Sequence, residues 1–358
     1  MTCVRAISGL GGKGPACFLL EANGARILFD LGEGPQPGLL PDIGAIGPVD
    51  ALILSHQHVD HAGALRFRPK IGNPPVYASA IVGRTLPNNC ESTALPLHGT
   101  AEVCGIKLTT GRSGHAPGGI WIHLAVGDGF IYMGDCCLES PLYAFDRPPP
   151  AAMVILDASY GDYEKPFADS QVSLDRAVDA KRVVLPVPAQ GRGPEIALHL
   201  FRSGIKAFLD VGVLAAARAL TLENADCLKP EAMADLKRLV DEAQPPTEDF
   251  SGITLCSPAT LVGDLGKGVM SLLDADQDAR VVFTGYVAPK TPADTVMASG
   301  RGQTLRWNIH PRLSDNAALV VQTKARTVMP AFGDRKVLSS WEKAFAPARV
   351  VVEGAVEF

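Results

Sequence analysis

The segment of the chain with the most evident chemistry is His56-Gln57-His58-Val59-Asp60-His61, which places three imidazoles and a carboxylate within six residues. Burying such groups without a partner is costly, because each would lose its hydrogen bonds to water. A divalent cation can be that partner, since Zn²⁺ binds imidazole nitrogen and carboxylate oxygen. A solvated His-rich turn is the alternative, but four suitable residues in this fixed register favour a metal site.

Two later residues fit the same site. His115 lies in a loop rich in Gly and Pro, and Asp135 follows the short apolar run from Phe130 to Met133. Each alone would be interpreted as a turn or capping residue, but beside the segment 56–61 each becomes a candidate ligand. The predicted ligands of one or two Zn²⁺ ions are His56, His58, Asp60, His61, His115 and Asp135. Mn²⁺ is an alternative cation, because it binds similar sets of imidazole and carboxylate groups.

Short strands in the first third of the chain must position these residues. Apolar segments at 16–21 and 25–30 flank Asn23-Gly24, a strong signal of a two-residue hairpin. Another apolar run, 51–54, ends just before His56, and Gly127-Asp128-Gly129 joins a further pair of runs. This pattern predicts an antiparallel β architecture with the candidate ligands at strand ends.

From Val154 onward the pattern changes to short apolar runs that alternate with helical stretches, such as 195–202 and 231–242. Strands that alternate with helices predict a parallel α/β sheet. The chain therefore combines two kinds of architecture, with the candidate metal ligands confined to the first.

The order of HxHxDH, an isolated histidine and a Gly-Asp pair after a strand resembles the metallo-β-lactamase superfamily. That resemblance implies an αββα sandwich. It also implies that one metal is bound by His56, His58 and His115, a second by Asp60 and His61, and both by Asp135. A metal-activated hydroxide would then attack an ester, amide or phosphodiester, with Asp60 also orienting the attacking water.

Further motifs resemble the β-CASP branch of that superfamily, which contains nucleases of RNA and DNA. Asp157-Ala158-Ser159-Tyr160-Gly161 resembles its first extra motif, and the stretch 191–195 resembles its Gly-Arg-x-x-Glu segment. His310 stands at the second extra motif, which in that branch contacts the scissile phosphate. The resemblance implies catalytic roles for Asp157 and His310, and substrate contacts from Arg192, Ser159 and His310. The alternatives are that Asp157 caps a turn and that Arg192 is a solvated loop charge.

The same resemblance implies a domain organisation and one departure from the branch. Residues 1–161 and 304–358 would form the metallo-β-lactamase domain, and 162–303 a β-CASP-like α/β insertion. Where RNA-acting members usually carry His-Gly-Glu or His-Gly-Asp, this chain has Phe332-Gly333-Asp334. Phe332 cannot ligate a metal, so a second ion would bind more weakly.

The leading hypothesis is a metal-dependent phosphodiesterase that acts on RNA or single-stranded DNA. A net charge of −5 and only 6% aromatic residues give no sign of a basic stacking surface. They favour the second hypothesis, a metallohydrolase of small esters, thioesters or lactones, and a weakly active nucleic-acid-binding member is the third. Eight scattered cysteines without a CxxC pair, no signal peptide and no membrane-length apolar run predict a cytoplasmic protein without a membrane partner.

Overall fold

The computed structural model describes residues 2–34, 36, 38–180 and 182–358. Contacts between residues divide the chain into two units. Unit 1 comprises Met1–Leu138, Ala144–Glu164 and His310–Phe358, and unit 2 comprises Glu139–Tyr143 and Lys165–Ile309. The second unit thus begins and ends within a few residues of the predicted insertion, 162–303, and it also takes in the earlier segment Glu139–Tyr143.

The strands are mostly short and lie along the whole chain. In chain order they are β1 (Cys3–Ser8), β2 (Cys17–Ala22), β3 (Ala25–Phe29), β4 (Ala51–Ile53), β5 (Val76–Ser79), β6 (Ser92–Leu95), β7 (Gly99–Val103), β8 (Ile106–Arg112), β9 (Ile120–Leu124), β10 (Phe130–Tyr132), β11 (Met153–Asp157), β12 (Arg182–Pro186), β13 (Ala207–Leu209), β14 (Gly252–Cys256), β15 (Arg280–Phe283), β16 (Gly302–Thr304), β17 (Thr327–Ala331), β18 (Arg349–Val350) and β19 (Ala355–Glu357).

The helices are longest in unit 2. In chain order they are α1 (Ile43–Ile46), α2 (Val59–Ala62), α3 (Ala80–Gly83), α4 (Phe167–Ala177), α5 (Arg192–Arg202), α6 (Val211–Leu222), α7 (Met233–Glu242), α8 (Asp264–Ala275), α9 (Pro292–Ala298), α10 (Leu313–Thr323) and α11 (Leu338–Phe345). Short 3₁₀ helices span Leu65–Ile71, Ala225–Cys227, Pro230–Ala232 and Arg335–Val337.

Unit 1 is a sandwich of two sheets. Among the described residues each sheet has seven strands, in the orders β19-β1-β2-β3-β4-β5-β6 and β18-β17-β11-β10-β9-β8-β7. Apolar side chains from both sheets, such as Phe18 and Phe130, form one core cluster between them. A second cluster includes Ile46 of α1 and Val82 of α3 beside the first sheet, and a third includes Trp341 of α11 beside the other. This arrangement confirms the predicted αββα sandwich.

The predicted hairpin at Asn23-Gly24 is confirmed. β2 and β3 pair antiparallel, with Phe18 opposite Phe29. Asn23 and Gly24 have φ angles of 52° and 81°, the left-handed pair that a tight two-residue hairpin turn requires.

The prediction of antiparallel pairing throughout this part is wrong. β3 pairs with β4 in parallel, and β4 pairs with β5 in the same way. The physical reason is the connection from Phe29 to Ala51, which includes α1 and is long enough to cross back over the sheet. Because parallel strands end at the same edge, the residues after β3 and β4 meet there, and these include Asp30 and His56.

Unit 2 contains the predicted parallel α/β sheet. Its strand order is β13-β14-β12-β15-β16, and all the pairs are parallel. Helix α5 covers the predicted helical stretch 195–202, and α7 together with the preceding 3₁₀ helix covers the stretch 231–242. In the described part of the chain, no helix has both the length and the apolar character needed to cross a bilayer.

Candidate metal centre

The loop after β4 brings the first candidate ligands together. His56 lies three residues after the end of the buried strand β4, and His58 is the N-cap of α2, a single helical turn that carries Asp60 and His61. The His61 backbone N–H donates to the His58 carbonyl at 2.9 Å. The ring centroids of His56 and His61 are 4.1 Å apart, so the turn gathers these side chains in one small region.

One group of potential ligands in unit 1 consists of His56, His58, His115 and Asp135, whose ligand atoms all lie within 4.8 Å of one another. His58 Nδ1 is 3.1 Å from His115 Nε2, and His115 Nε2 is 3.5 Å from Asp135 Oδ2. His56 Nε2 is 3.9 Å from the same carboxylate oxygen. The structure thus brings His115 and Asp135, which are distant in the sequence, to the two histidines of the loop after β4.

The chemistry of this group fits a cation. His56 Nε2 is buried and has no hydrogen-bond partner among the described residues. Burial and the neighbouring imidazoles hold the pKa of His56 well below its usual value, and burial and His115 lower that of His58 to about 3. Both rings are therefore neutral at pH 7, the state in which imidazole binds a metal. Such nitrogen and carboxylate donors suit Zn²⁺ or a similar divalent ion.

A second group consists of Asp60, His61 and Asp135, so the Asp135 carboxylate belongs to both groups. His61 Nε2 lies 3.1 Å from Asp135 Oδ1. Burial alone would raise the pKa of Asp60, but the charges of His61 and Lys13 lower it, so the carboxylate is ionised. The structure brings all six predicted metal ligands into these two adjoining groups.

Asp30 holds His61 in place, although the sequence analysis assigned it no role. It follows β3, its side chain is fully buried, and its φ of 56° lies in the left-handed region. Its carboxylate accepts hydrogen bonds from the Ser55 backbone N–H and hydroxyl, both at 2.7 Å, and from Tyr132 Oη at 2.5 Å. His61 Nδ1 is 2.7 Å from the same carboxylate, which orients Nε2 toward Asp135. An acid directly after a buried strand was the available sequence signal.

Asp157 and His310 form a buried pair beside the first group. Asp157 ends β11, and its Oδ2 is 2.8 Å from His310 Nδ1 and accepts the Cys136 backbone N–H at 3.0 Å. His310 Nδ1 is also 3.9 Å from Asp135 Oδ2, and its ring lies 4.9 Å from that of His115. Burial would lower the pKa of His310, but the carboxylates of Asp157 and Asp135 raise it above its usual value.

The other predicted substrate residues lie in different surroundings. The Ser159 hydroxyl donates to Asp157 Oδ1 at 2.6 Å, so it supports the pair with His310. Arg192 belongs to unit 2, in the first turn of α5, and its guanidinium donates to the Thr284 carbonyl at 3.2 Å. Only 8% of Arg192 is exposed, so the alternative of a solvated loop charge is wrong. Substrate contact by either residue stays a prediction.

Phe332 packs against the second group of ligands. Its ring centroid is 5.2 Å from that of His61, in an edge-to-face arrangement, and its φ of 66° is left-handed. Its backbone N–H donates to the Gly9 carbonyl at 2.7 Å. The Phe332 ring, which has no atom that can ligate a metal, therefore lies beside His61.

Comparisons with known proteins agree with this geometry. Residues 10–185 match the model of the family described as "Metallo-beta-lactamase superfamily". The chain is 24% identical over 378 residues to "Transcription termination factor FttA" of Lokiarchaeum sp. (strain GC14_75), covering 83% of this chain and 58% of that protein. It is 25% identical over 248 residues to "Endoribonuclease YSH1" of Kluyveromyces lactis, covering 54% of this chain and 32% of that protein. The chain thus spans little more than half the length of the first of these relatives, and less of the second.

A solved structure, that of a protein of unknown function from Enterococcus faecalis V583, superposes with a TM-score of 0.62 at 14% identity. The superposition covers 99% of both chains. At this identity the likeness concerns the fold alone, and it extends over both units.

Proposed function

We propose that this chain, a member of the metallo-β-lactamase superfamily and of its β-CASP branch, is a metal-dependent phosphodiesterase that cuts RNA or single-stranded DNA. The observation that carries the proposal is the pair of His310 and Asp157 beside the two ligand groups. A nucleic-acid strand is a poor leaving group and must receive a proton, which a buried histidine on a carboxylate can supply. The names of the relatives, a termination factor and an endoribonuclease, support a nucleic-acid substrate.

The six ligands would hold one or two divalent ions, for which we propose Zn²⁺, with Mn²⁺ as the alternative. When bound, such ions polarise the phosphodiester and make water acidic enough to react at neutral pH. Asp60 is ionised and can accept a proton from the attacking water. His310 has its Nδ1 on Asp157, which leaves Nε2 to donate a proton to the departing oxygen.

Unit 2 contains the α/β part that we propose to be the β-CASP-like insertion. We also propose that Arg192, which belongs to unit 2, and Ser159, which belongs to unit 1, are substrate contacts. The cytoplasm, where RNA is available, is the compartment we propose. A hydrolase of small esters, thioesters or lactones is the second candidate, because the net charge of −5 provides no general attraction for nucleic acid.

The test compares two phosphodiesters with different leaving groups. Wild type, His310→Ala and a His58→Ala/Asp60→Ala control are loaded with Zn²⁺ or Mn²⁺, and bound metal is determined by elemental analysis. Each protein is then assayed on 5′-labelled single-stranded RNA and DNA, and on bis(p-nitrophenyl) phosphate, whose nitrophenolate leaves without a proton.

We expect His310→Ala to lose about 100-fold or more on RNA or DNA, but only a few-fold on the nitrophenyl ester, because general acids contribute about 10²–10⁴-fold. The double variant should lose both bound metal and activity. Equal losses by His310→Ala on both substrates would contradict the role of His310. Hydrolysis of small esters without cleavage of any nucleic acid would favour the second candidate.

A further inference from the structure

Lys13 is a cation at the metal centre that the proposed mechanism does not use. It lies in the Gly-rich loop between β1 and β2, here named the glycine loop, residues 9–14. Its Nζ is 3.7 Å from Oδ2 of Asp60, and 44% of the Lys13 side chain is exposed against 22% for Asp60. The ammonium group therefore faces a predicted metal ligand and can still be reached from solvent.

Three hydrogen bonds hold the glycine loop and its flanking residues, and two of them join this segment to the centre. Ser8 Oγ donates to the Pro15 carbonyl at 2.6 Å and closes the base of the loop. The Phe332 backbone N–H donates to the Gly9 carbonyl, and the Ala16 backbone N–H donates to the Asp60 carbonyl, both at 2.7 Å. The same segment thus binds the Phe332 backbone at one end and the Asp60 backbone at the other. The position of Lys13 is therefore a property of the fold.

Three features of the second ligand group and its neighbours disfavour a tightly bound second cation. The group offers only three ligands among the described residues, and one of them, Asp135, is shared with the first group. Phe332 beside His61 adds no donor atom. A positive ammonium group so close to Asp60 repels a dication at that carboxylate, and near a protein surface this repulsion is only partly screened.

We propose that Lys13 takes the place of the second cation. One ion is held by His56, His58, His115 and Asp135, and the Lys13 ammonium provides the second positive charge, which binds a non-bridging oxygen of the scissile phosphate. The binding of phosphate rests on the proposed function, whereas the competition with a second ion does not.

The chemistry of the ammonium group supports this position. An ammonium group is a compact charge with three donors, which suits a phosphate oxygen. The ordinary alternative is a surface ion pair with Asp60, which contributes little to stability and has no part in catalysis.

The first experiment measures metal binding without reference to activity. Wild type, Lys13→Met, Lys13→Arg and the matched surface control Lys107→Met are prepared metal-free and titrated with Mn²⁺, with free ion followed by electron paramagnetic resonance. We expect wild type to bind one ion tightly and a second weakly. Lys13→Met should bind the second ion about tenfold or more tightly, because it removes a positive charge next to Asp60. Lys13→Arg and Lys107→Met should resemble wild type.

Two tight ions in wild type would overturn the inference. So would an unchanged affinity of Lys13→Met for the second ion, which would leave Lys13 as a surface ion pair. Elemental analysis of the Zn²⁺-loaded proteins gives the number of ions per chain independently.

The second experiment measures cleavage of 5′-labelled RNA at one ion per chain. Lys13→Met should lose about 100-fold in turnover, a loss of the size found when one charged donor to a transition state is removed. Excess Mn²⁺ should restore part of that loss in Lys13→Met and should not accelerate wild type. Full activity of Lys13→Met at one ion would overturn the phosphate-binding role. If wild type cleaves no nucleic acid, the proposed function fails, while the Mn²⁺ titration still decides whether Lys13 competes with a second ion.

Discussion

Glu195 should make the stability of unit 2 depend on pH in the neutral range. It lies in the first turn of α5 with 1% of its surface exposed. The Ser140 hydroxyl donates to one of its carboxylate oxygens, and Trp307 Nε1 donates to the other at 3.0 Å. These bonds favour the ionised carboxylate, but burial opposes it more strongly and raises the pKa from 4.5 to about 7.

The sign and size of the effect follow from this pKa. Well below pH 4.5 the carboxyl group is protonated in both the folded and the unfolded chain, so its burial does not change the free energy of unfolding with pH. As the pH rises the unfolded chain releases its proton first, and folding becomes less favourable until the folded group ionises near pH 7. The cost is about 3 kcal/mol in full, and about 2.5 kcal/mol of it develops between pH 5 and pH 8.

The perturbation is Glu195→Gln, which keeps the shape of the side chain and removes its titration. Stability of unit 2 is measured at pH 5, 6, 7 and 8 by hydrogen exchange of the β12 and β14 amides, corrected for intrinsic rates. The quantity of interest is the free energy of unfolding of Glu195→Gln minus that of wild type. It should rise by about 2.5 kcal/mol from pH 5 to pH 8, and a constant offset from the new amide group does not affect this change. The exposed Glu248→Gln serves as the control. A difference for Glu195→Gln that is flat with pH would refute the reasoning that burial dominates at this carboxylate.

Three further predictions concern the metal centre and its supports. Asp157→Asn should reduce RNA cleavage about 100-fold by misorienting His310, with bound metal unchanged by elemental analysis; wild-type turnover would contradict it. Tyr132→Phe removes one donor from the Asp30 carboxylate and should weaken metal binding about tenfold in a Zn²⁺ titration, whereas an equal affinity would remove Tyr132 from the positioning network. Gly9→Ala should lower the free energy of unfolding in urea by about 1–3 kcal/mol. The reasons are a φ of 95° and a new Cβ only 2.8 Å from Phe18, and an unchanged urea midpoint would show that the loop relaxes.

The sequence predicted those parts of the site whose residue types carry a local pattern. His56, His58, Asp60 and His61 lie within one short segment after a strand, so the sequence alone predicts that they bind metal together. The residues that hold these ligands in position show no such local pattern. Tyr132 meets Asp30 across 102 positions of the chain, and no local pattern announces such a contact.

The errors in the fold prediction have a similar cause. An alternating apolar pattern shows that a segment is a strand, but the direction of pairing depends on the path of the connection. Between β3 and β4 that path crosses over the sheet, so the strands are parallel where an antiparallel architecture was predicted. Lys13 was missed because a single lysine among glycines has no distinguishing pattern, and only the folded loop places it beside Asp60.

The local charges of the centre also bear on the choice between the two candidate functions. A net charge of −5 argues against a long basic track, yet cleavage of a phosphodiester requires positive charge only where the scissile phosphate lies. At the candidate metal centre the chain concentrates Lys13, His310 and a set of potential ligands for a divalent ion, all within unit 1. An acidic chain with such a centre is suited to hold one phosphate firmly and the rest of the strand weakly. Overall charge therefore does not discriminate between nucleic acid and small ester, whereas a direct comparison of nucleic-acid cleavage with hydrolysis of small esters does.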